Sequence, residues 1–230
     1  MPDATRGITT ALVQPEYFPG LDVVAASLVA DRILVGDTFQ YSRQSFHNRC
    51  ALRTPDGRQW LTVPVRGGQH GASLIETRID NRGPWRKRHW KAMAFNYGTA
   101  PYFEHYAEDI RAILFAEYAT VAEVTTAATQ RLAELCGSTA SWDALSAIGD
   151  PGGWEGWPQR FGFAVGLVVR RQSPATCGNS RAVPELDAEY RQNFPGFERG
   201  LSALDLLFNV GPDSADVIRD HLSRMAGWSY

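Results

Sequence analysis

Two polar segments near the N-terminus contain the residue types that a binding site needs. The first is Gln14-Pro15-Glu16-Tyr17-Phe18-Pro19-Gly20. Prolines lower the entropy cost of holding side-chain donors in place, so Gln14 and Tyr17 are candidates to bind a ligand. The alternative is a structural loop in which Gln14 bonds backbone groups. Ligand binding is favoured, because the segment follows a predicted strand of a parallel sheet.

The second segment combines amide, hydroxyl, carboxylate and guanidinium groups. Its candidate residues are Asp37, Gln40, Tyr41, Ser45, Asn48 and Arg49. Amides and hydroxyls suit the hydroxyls of a sugar or nucleotide, and an arginine suits a phosphate or carboxylate. A turn-rich connector, with Asp and Asn bonding the local backbone, is the alternative. The mixture favours a small-molecule site in which Asp37 could act as a base.

A cationic segment follows Pro84 and contains Arg86, Lys87, Arg88 and Lys91. Near a helix N-terminus such residues favour phosphate binding, with Lys87 as a candidate ligand, although charge runs more often form a solvated helix face. His89 lies on a different face, with Trp85, Met93 and Tyr97. It could act as a general base or be a hydrogen-bonded core histidine, and both interpretations stay open.

Two further candidates have strong structural alternatives. Tyr97 could stack on a sugar or base, although packing in the core is the more common use of such a side chain. Asp205 lies between Leu204 and Leu206, and a carboxylate in that setting needs a partner. We expect a salt bridge to Arg49 or to an arginine of residues 82–88, or else a helix-cap role.

The N-terminal segments predict the elements that would position these residues. Ile8–Val13 reads as a buried strand, Asp22–Ala30 as a helix and Ile33–Val35 as a second strand. This order is a βαβ unit, which implies a parallel sheet. Gln14 and Asp37 then follow the carboxyl ends of the two strands, where ligands bind in such sheets.

The rest of the chain predicts an α/β protein with a mostly parallel, mixed sheet, helices on its faces and a helical C-terminal part. We interpret residues 1–230 as a single domain. The other predicted elements are a hairpin of 50–53 and 59–65, strands at 74–79 and 163–169, loops at 149–157 and 178–185, and helices at 85–97, 104–117, 119–135, 201–208 and 214–225.

Composition narrows the class of protein. The 230 residues carry a net charge of −2 and are 44% hydrophobic, which is ordinary for a globular protein and argues against a dedicated nucleic-acid binder. The three cysteines give neither a disulfide framework nor a zinc motif, so we expect a reducing, cytoplasmic compartment. We see no signal peptide, membrane span, metal set or cofactor motif.

The polar segments also resemble the WbqC-like family. The matching motifs are Gln14-Pro15-x-Tyr17-x-Pro19, Asp31, Asp37, Gln40-Tyr41, Ser45-Phe46, Asn48-Arg49, 61–65, Trp85, His89, Tyr97, 100–103, Tyr190-x-Gln192, 201–209 and Gly211-Pro212. The resemblance covers nearly the whole chain. It departs at Gly20, where the family usually has Trp, and at Asp22-Val23, which replaces a Gly-aromatic pair. Either change could alter the ligand of that loop.

The resemblance implies a role in O-antigen, other surface polysaccharide or natural-product biosynthesis. The first hypothesis is a transferase that moves an acyl or aminoacyl group onto an amino sugar or related amine. His89 or Asp37 would accept a proton, and Arg49 with the 86–91 segment would bind the phosphate of an activated donor. That donor could be an acyl, aminoacyl or nucleotide compound, and tRNA stays open as a partner.

Two other hypotheses stay open. One is a nucleotide-dependent activating enzyme, because the opening strand, loop, helix and strand resemble the nucleotidyltransferase superfamily. Its histidine-glycine-histidine signature is replaced here by Tyr17-Phe18-Pro19-Gly20. The other is a non-catalytic binding or scaffold protein of a biosynthetic complex. Loss of pathway output on substitution of His89 or Asp37 would separate either enzyme from the scaffold.

Overall fold

A five-stranded parallel sheet lies at the centre of the computed structural model, which describes residues 8–43, 45–69, 71–149, 165–169, 180–182, 186 and 188–225. Its strands are β1 (Thr9–Val13), β2 (Arg32–Val35), β5 (Ser141–Ala144), β6 (Val165–Val169) and β7 (Ser180–Ala182). The order across the sheet is β5-β2-β1-β6-β7, and every neighbouring pair is parallel. The predicted α/β class is therefore confirmed.

The predicted βαβ unit forms the start of this sheet. Helix α1 (Leu21–Val29) connects β1 to β2, and Ala11 pairs in register with Ile33. Ala11, Leu12 and Val13 are completely buried, as expected for the middle strand of a sheet that is covered on both faces. The apolar run that predicted β1 thus matches its position between two other strands.

The chain adds strands outward from β1 in two opposite directions, because β2 and β5 lie on one side of it and β6 and β7 on the other. The carboxyl end of β1 is therefore the switch point of the sheet, where α/β proteins form ligand crevices. Gln14 directly follows β1, and Gly36 and Asp37 directly follow β2. Gln14 and Asp37 consequently lie at this edge of the sheet, as predicted.

An antiparallel hairpin forms a separate two-stranded sheet. It consists of β3 (Arg49–Thr54) and β4 (Gly57–Thr62), with Thr54 paired to Gly57 across the turn. Gly57 has a φ of 120°, a conformation that a residue with a Cβ atom rarely adopts, which explains the glycine of the Pro-Asp-Gly turn. The predicted hairpin is confirmed, and its second strand ends earlier than expected.

Within the described residues, six further helices cover the sheet and form the C-terminal part: α2 (Trp85–Tyr97), α3 (Phe103–Phe115), α4 (Val121–Leu135), α5 (Leu145–Ile148), α6 (Ala203–Val210) and α7 (Ser214–Arg224). Helix α4 begins with a reciprocal cap. The Thr120 hydroxyl accepts from the Glu123 amide, and the Glu123 carboxylate accepts from the Ala119 amide. No helix in the described part of the chain is long and apolar enough to span a membrane.

Two predicted elements were wrong. Residues 74–79 contain turns and isolated bridges and no strand, because the Glu76 carboxylate accepts from both the amide and the hydroxyl of Ser73 and so closes a local turn. The predicted polar loop at 178–185 contains strand β7, whose pairing with β6 outweighs its polar local sequence. The sequence also gave no signal for β5 and α5.

Three predictions are untested in whole or in part. Residues 150–157 of the predicted 149–157 loop, and residues 163–164 of the predicted 163–169 strand, lie outside the described residues. The single domain over residues 1–230 also stays a prediction.

Candidate functional site

Four side chains meet at the carboxyl edge of the parallel sheet, and we call them the sheet-edge cluster: Gln14, Tyr41, His47 and Arg49. The Gln14 amide contacts Nε2 of His47, and the ring centroids of Tyr41 and His47 lie 6.0 Å apart. Positive charge on Arg43 and Arg49 acts to lower the pKa of Tyr41, against the larger, raising effect of its burial. Arg49 therefore lies near enough to Tyr41 for its charge to act on the Tyr41 hydroxyl.

The hydrogen bonds of His47 determine which of its ring nitrogens carries the proton. Nδ1 accepts from the Ser42 amide at 3.1 Å, so the neutral ring carries its proton on Nε2. Nε2 of Gln14 is the atom that faces His47 Nε2, and exchanging the oxygen and nitrogen of this amide would give the Nε2–H an acceptor. Burial lowers the pKa of His47 to about 4, so the ring is neutral at pH 7 and acts as a donor at this edge.

Arg49 lies against an aromatic wall on the hairpin. Its guanidinium carbon is 4.5 Å from the centre of the Trp60 ring, and Phe46 packs on Trp60 with centroids 5.7 Å apart. Trp60 is 39% exposed, so the wall remains accessible to solvent. Stacking reduces the freedom of the arginine and prepares it to bind a planar or tetrahedral anion.

Asp37 lies at the end of β2 and connects the sheet to α5. Its carboxylate accepts from the Ser146 amide at 3.0 Å and from the Ser146 hydroxyl. A carboxylate offers roughly four acceptor positions, so two donors leave room for a further proton. Asp37 is thus held in a defined orientation at the same sheet edge as the cluster.

Three other predicted binding residues have local structural contacts. Ser45 closes the turn that precedes His47, by donating to the Ser42 carbonyl at 2.7 Å. Asn48 is buried and donates to the Val63 carbonyl at 2.8 Å, which connects the segment to the end of the hairpin. Gln40 is exposed and forms a bridge to Ser73. Ser45 and Asn48 therefore position the cluster, and Gln40 lies at its periphery.

Tyr17 and His89 form a buried chain of hydrogen bonds away from solvent. The Tyr17 hydroxyl lies 2.8 Å from His89 Nδ1, and the Thr62 carbonyl accepts from the same ring. The Nε2–H group of His89 therefore donates to the Thr62 carbonyl, and the Tyr17 hydroxyl donates to Nδ1. Burial lowers the pKa of His89 to about 4. Both ring nitrogens are occupied, which favours the interpretation of His89 as a hydrogen-bonded core histidine.

This geometry predicts a stability effect. Tyr17→Phe would leave Nδ1 of buried His89 without a donor, so we expect the free energy of unfolding to fall by about 1–3 kcal/mol, measured by urea denaturation. Tyr102→Phe is the matched control. The Tyr102 hydroxyl has no hydrogen-bond partner within the described part of the chain, so its loss should cost less than about 0.5 kcal/mol. Equal losses in both variants would contradict the assigned role of Tyr17.

Tyr97, Asp205 and Tyr190 form a second buried network, which we call the tyrosine–aspartate core. The Tyr97 hydroxyl donates to Asp205 Oδ1 at 2.9 Å, and the Tyr190 hydroxyl donates to Oδ2 at 2.8 Å. Tyr97 also accepts from the Arg53 amide at 2.8 Å. The expected salt bridge of Asp205 to Arg49 or to residues 82–88 is therefore wrong, because two buried hydroxyls satisfy the carboxylate instead.

The predicted candidates thus separate into groups. Gln14, Tyr41, Arg49 and Asp37 lie at the sheet edge, whereas Tyr17, His89, Tyr97 and Asp205 connect elements in the interior. Lys87 is exposed on α2 and lines a surface cleft with Arg82 and Arg86. None of the described residues form a group of three or more His, Cys, Asp or Glu side chains that could hold a metal ion.

Sequence reasoning missed His47, Trp60 and Tyr190. His47 stands between two recognised motif pairs, and its position in a dense polar segment was the available signal. Trp60 is exposed on β4, as are its neighbours Arg58 and Gln59. This local sequence does not indicate that the Trp60 ring packs against Arg49. Tyr190 is 15 residues from Asp205, so only the folded chain shows their contact.

The fold and this edge define an α/β protein with a cluster of polar side chains at the switch point of a parallel sheet. The chain belongs to the WbqC-like protein family, whose family model matches residues 14–155 and 181–217. It is also similar to the uncharacterized protein Rv1507c of Mycobacterium tuberculosis (strain ATCC 25618 / H37Rv), with 31% identity over 228 residues that cover 91% of this chain and 96% of the relative. No solved structure matches the chain significantly.

Proposed function

We propose that the protein is a biosynthetic group transferase, which moves an acyl or aminoacyl group from an activated donor to an amino sugar or related amine. The observation that carries the proposal is the sheet-edge cluster at the switch point. It combines an arginine on an aromatic wall with neutral hydrogen-bond donors and a neighbouring carboxylate. The association of the family with polysaccharide gene clusters, which the resemblance implies, supplies the class of acceptor.

Arg49 binds the anionic part of the donor. Its guanidinium is held against Trp60 and presents a fork of N–H groups, which suits a phosphate or carboxylate. The Gln14 amide and the Tyr41 hydroxyl orient the group that is transferred. In a site partly shielded from water, such fixed donors stabilise the charge that develops on the carbonyl oxygen in the transition state.

Asp37 accepts the proton of the acceptor. The amine nitrogen attacks the activated carbonyl carbon, the new C–N bond forms, and the bond to the donor's leaving group breaks with its electron pair. The nitrogen loses a proton to Asp37, whose carboxylate keeps acceptor capacity beside Ser146. His89 has a positioning role, because it holds Tyr17 and with it the loop that carries Gln14.

Product formation tests the proposal directly. The purified protein would be incubated with an amino-sugar nucleotide and a panel of acyl-phosphate, acyl-CoA and aminoacyl-tRNA donors. A mass increase on the sugar that equals the transferred acyl group is the expected result. The Asp37→Asn variant should retain the fold and lose most of the turnover. Absence of a product with every donor, from protein of confirmed fold, would contradict the transferase proposal.

The strand order favours nucleotide-dependent activation as a second candidate function. Numbered in chain order, the five sheet strands β1, β2, β5, β6 and β7 lie in the order 3-2-1-4-5, the order of doubly wound nucleotide-binding sheets. The likeness is one of architecture, and architecture alone does not set chemistry. Saturable binding of ATP or CTP, with release of pyrophosphate in the presence of a sugar phosphate, would support this candidate. No nucleotide binding at millimolar concentration would remove it.

A further inference from the structure

A second concave surface lies around the N-terminal end of α2. We call it the arginine cleft, and it has a volume of about 670 Å³. Arg66, Arg78 and Arg86 line it, together with Tyr118, Phe115 and Glu117. This volume lies within the range of roughly 300–1,000 Å³ that small-molecule sites occupy. No residue of the sheet-edge cluster lines it, so the cleft is a separate candidate site.

The three arginines come from three separate segments. Arg66 follows the hairpin, Arg78 precedes the bridge of Ile79 to Val65, and Arg86 lies in the first turn of α2. The backbones of Arg66 and Arg78 are joined by a hydrogen bond of 2.9 Å between the Arg66 amide and the Arg78 carbonyl. Tertiary pairing therefore brings these positive charges to one concavity, which a simple charged helix face would not require.

These arginines lack the acidic partners that other arginines have. Among the described residues, no carboxylate lies within ion-pair distance of Arg66, Arg78 or Arg86. By contrast, Arg58 and Arg131 have carboxylate oxygens at 2.6 Å. Unneutralised charge in a concave surface raises the local concentration of anions.

Glu117 and Glu123 also line the cleft, so its three arginines exceed its carboxylates by one positive charge. The Glu123 carboxylate accepts from the Ala119 amide at 2.7 Å in the cap of α4. Arg86 is fixed in place by bonds to the Asn81 amide oxygen at 3.0 Å and the Ala116 carbonyl at 3.3 Å, with its guanidinium 4.3 Å from the Trp85 ring. One cation of the site is thus preorganised, and the other two are exposed and can adjust to a ligand.

We propose that the arginine cleft binds the pyrophosphate or phosphate group of a small molecule. Arg66, Arg78 and Arg86 contact the phosphate oxygens. The organic part lies against Phe115, which is 39% exposed and also borders the adjoining cleft of about 370 Å³ that Arg82 and Lys87 line. This site is separate from the proposed transferase site, because it uses none of Gln14, Asp37, Tyr41 and Arg49.

Calorimetric titration with inorganic pyrophosphate at low salt tests the proposal. In the Arg66→Ala/Arg78→Ala double variant, we expect the dissociation constant to rise roughly a hundredfold, about tenfold for each charge-assisted contact that is lost. Both side chains are exposed and make no side-chain hydrogen bond within the described part of the chain, so the variant should fold. Arg111→Ala is the matched control, since that arginine is exposed and paired with Glu108.

The outcomes separate this site from the sheet edge. Retained affinity in Arg111→Ala and Arg49→Ala, with the loss confined to the double variant, supports the cleft. No binding by the wild type, or a loss confined to Arg49→Ala, overturns it. A nucleoside diphosphate and a short isoprenyl pyrophosphate then identify the source of the phosphate. At least one of these compounds should bind the wild type as tightly as pyrophosphate does, and its binding should be lost in the double variant. If neither compound behaves in this way, the assignment is overturned.

Discussion

Replacing Asp205 by alanine is expected to lower the free energy of unfolding by about 3–5 kcal/mol, since it removes the acceptor of two buried hydroxyl groups. Asp205 and Tyr97 are completely buried, so water cannot replace the lost bonds. The network connects α6, α2 and the segment of Tyr190. Its loss should therefore lower the cooperativity with which these three segments unfold. Urea denaturation measured by circular dichroism gives the value.

Asp216→Ala is the matched control for this prediction. Asp216 is exposed on α7, and its contact with Arg219 is 3.7 Å long, so its loss should cost less than about 1 kcal/mol. A change of similar size in Asp205→Ala would show that the tyrosine–aspartate core does not stabilise the protein.

The same carboxyl group makes stability depend on pH. Burial raises the pKa of Asp205 from 3.8 to about 6 in the folded protein, so the folded state binds its proton more tightly than the unfolded state. The stabilisation that comes from this tighter proton binding is therefore complete below about pH 4 and is lost as the pH rises through about 6. The hydrogen bonds from Tyr97 and Tyr190 are separate from it, because the ionised carboxylate accepts them as well. The free energies of unfolding of the wild type and of Asp205→Asn should differ by an amount that changes with pH in this window and is constant above pH 7. A constant difference from pH 4 to 7 would contradict the raised pKa.

Replacing Arg49 by alanine is expected to reduce kcat/KM for the donor roughly ten- to a hundredfold, the value of one charge-assisted contact of about 1.5–3 kcal/mol. Most of the effect should appear in KM, because the arginine binds the donor's anionic group in the ground state as well as in the transition state. Arg49→Lys should recover only part of the loss, since lysine keeps the charge and loses the planar fork that stacks on Trp60.

Arg58→Ala is the control for Arg49. Arg58 lies on the same hairpin, where its side chain pairs with Glu198, so the variant removes a similar charge without touching the sheet edge. An equal loss of kcat/KM in both variants would indicate a general effect of charge or hairpin stability and would contradict the assigned role of Arg49.

Local pattern predicted much of the fold. The β-branched run before Gln14, the Ala- and Val-rich helix and the short apolar strand gave the βαβ unit, and α2 has the predicted bounds of Trp85 and Tyr97. These elements follow from periodicity and from turn residues, which are properties of adjacent residues. The edge position of Gln14 and Asp37 followed from the same unit, because the carboxyl ends of adjacent parallel strands meet.

The parts that sequence did not predict depend on contacts between distant residues. Asp37 bonds Ser146 across 109 positions, and Asp205 bonds Tyr97 across 108, so no local pattern indicates either pair. Strand β7 forms on a polar segment only because β6 lies beside it. The residue type of His89 left a catalytic and a structural role open, and the bonds that its ring makes to Tyr17 and Thr62 join residues far apart in the sequence.

A thermal-shift screen of wild type and Arg49→Ala against nucleotides, nucleotide sugars, acyl-CoAs and aminoacyl donors tests the sheet-edge site most directly. At about a hundred times its dissociation constant, a ligand adds about 2.7 kcal/mol, which raises Tm by several degrees in a chain of this size. We expect at least one donor class to raise the Tm of the wild type and of Arg58→Ala, and the ten- to hundredfold weaker binding by Arg49→Ala to reduce that shift to about half or less. A full shift retained in Arg49→Ala, or a blank screen for the wild type, would contradict a donor site at the sheet edge.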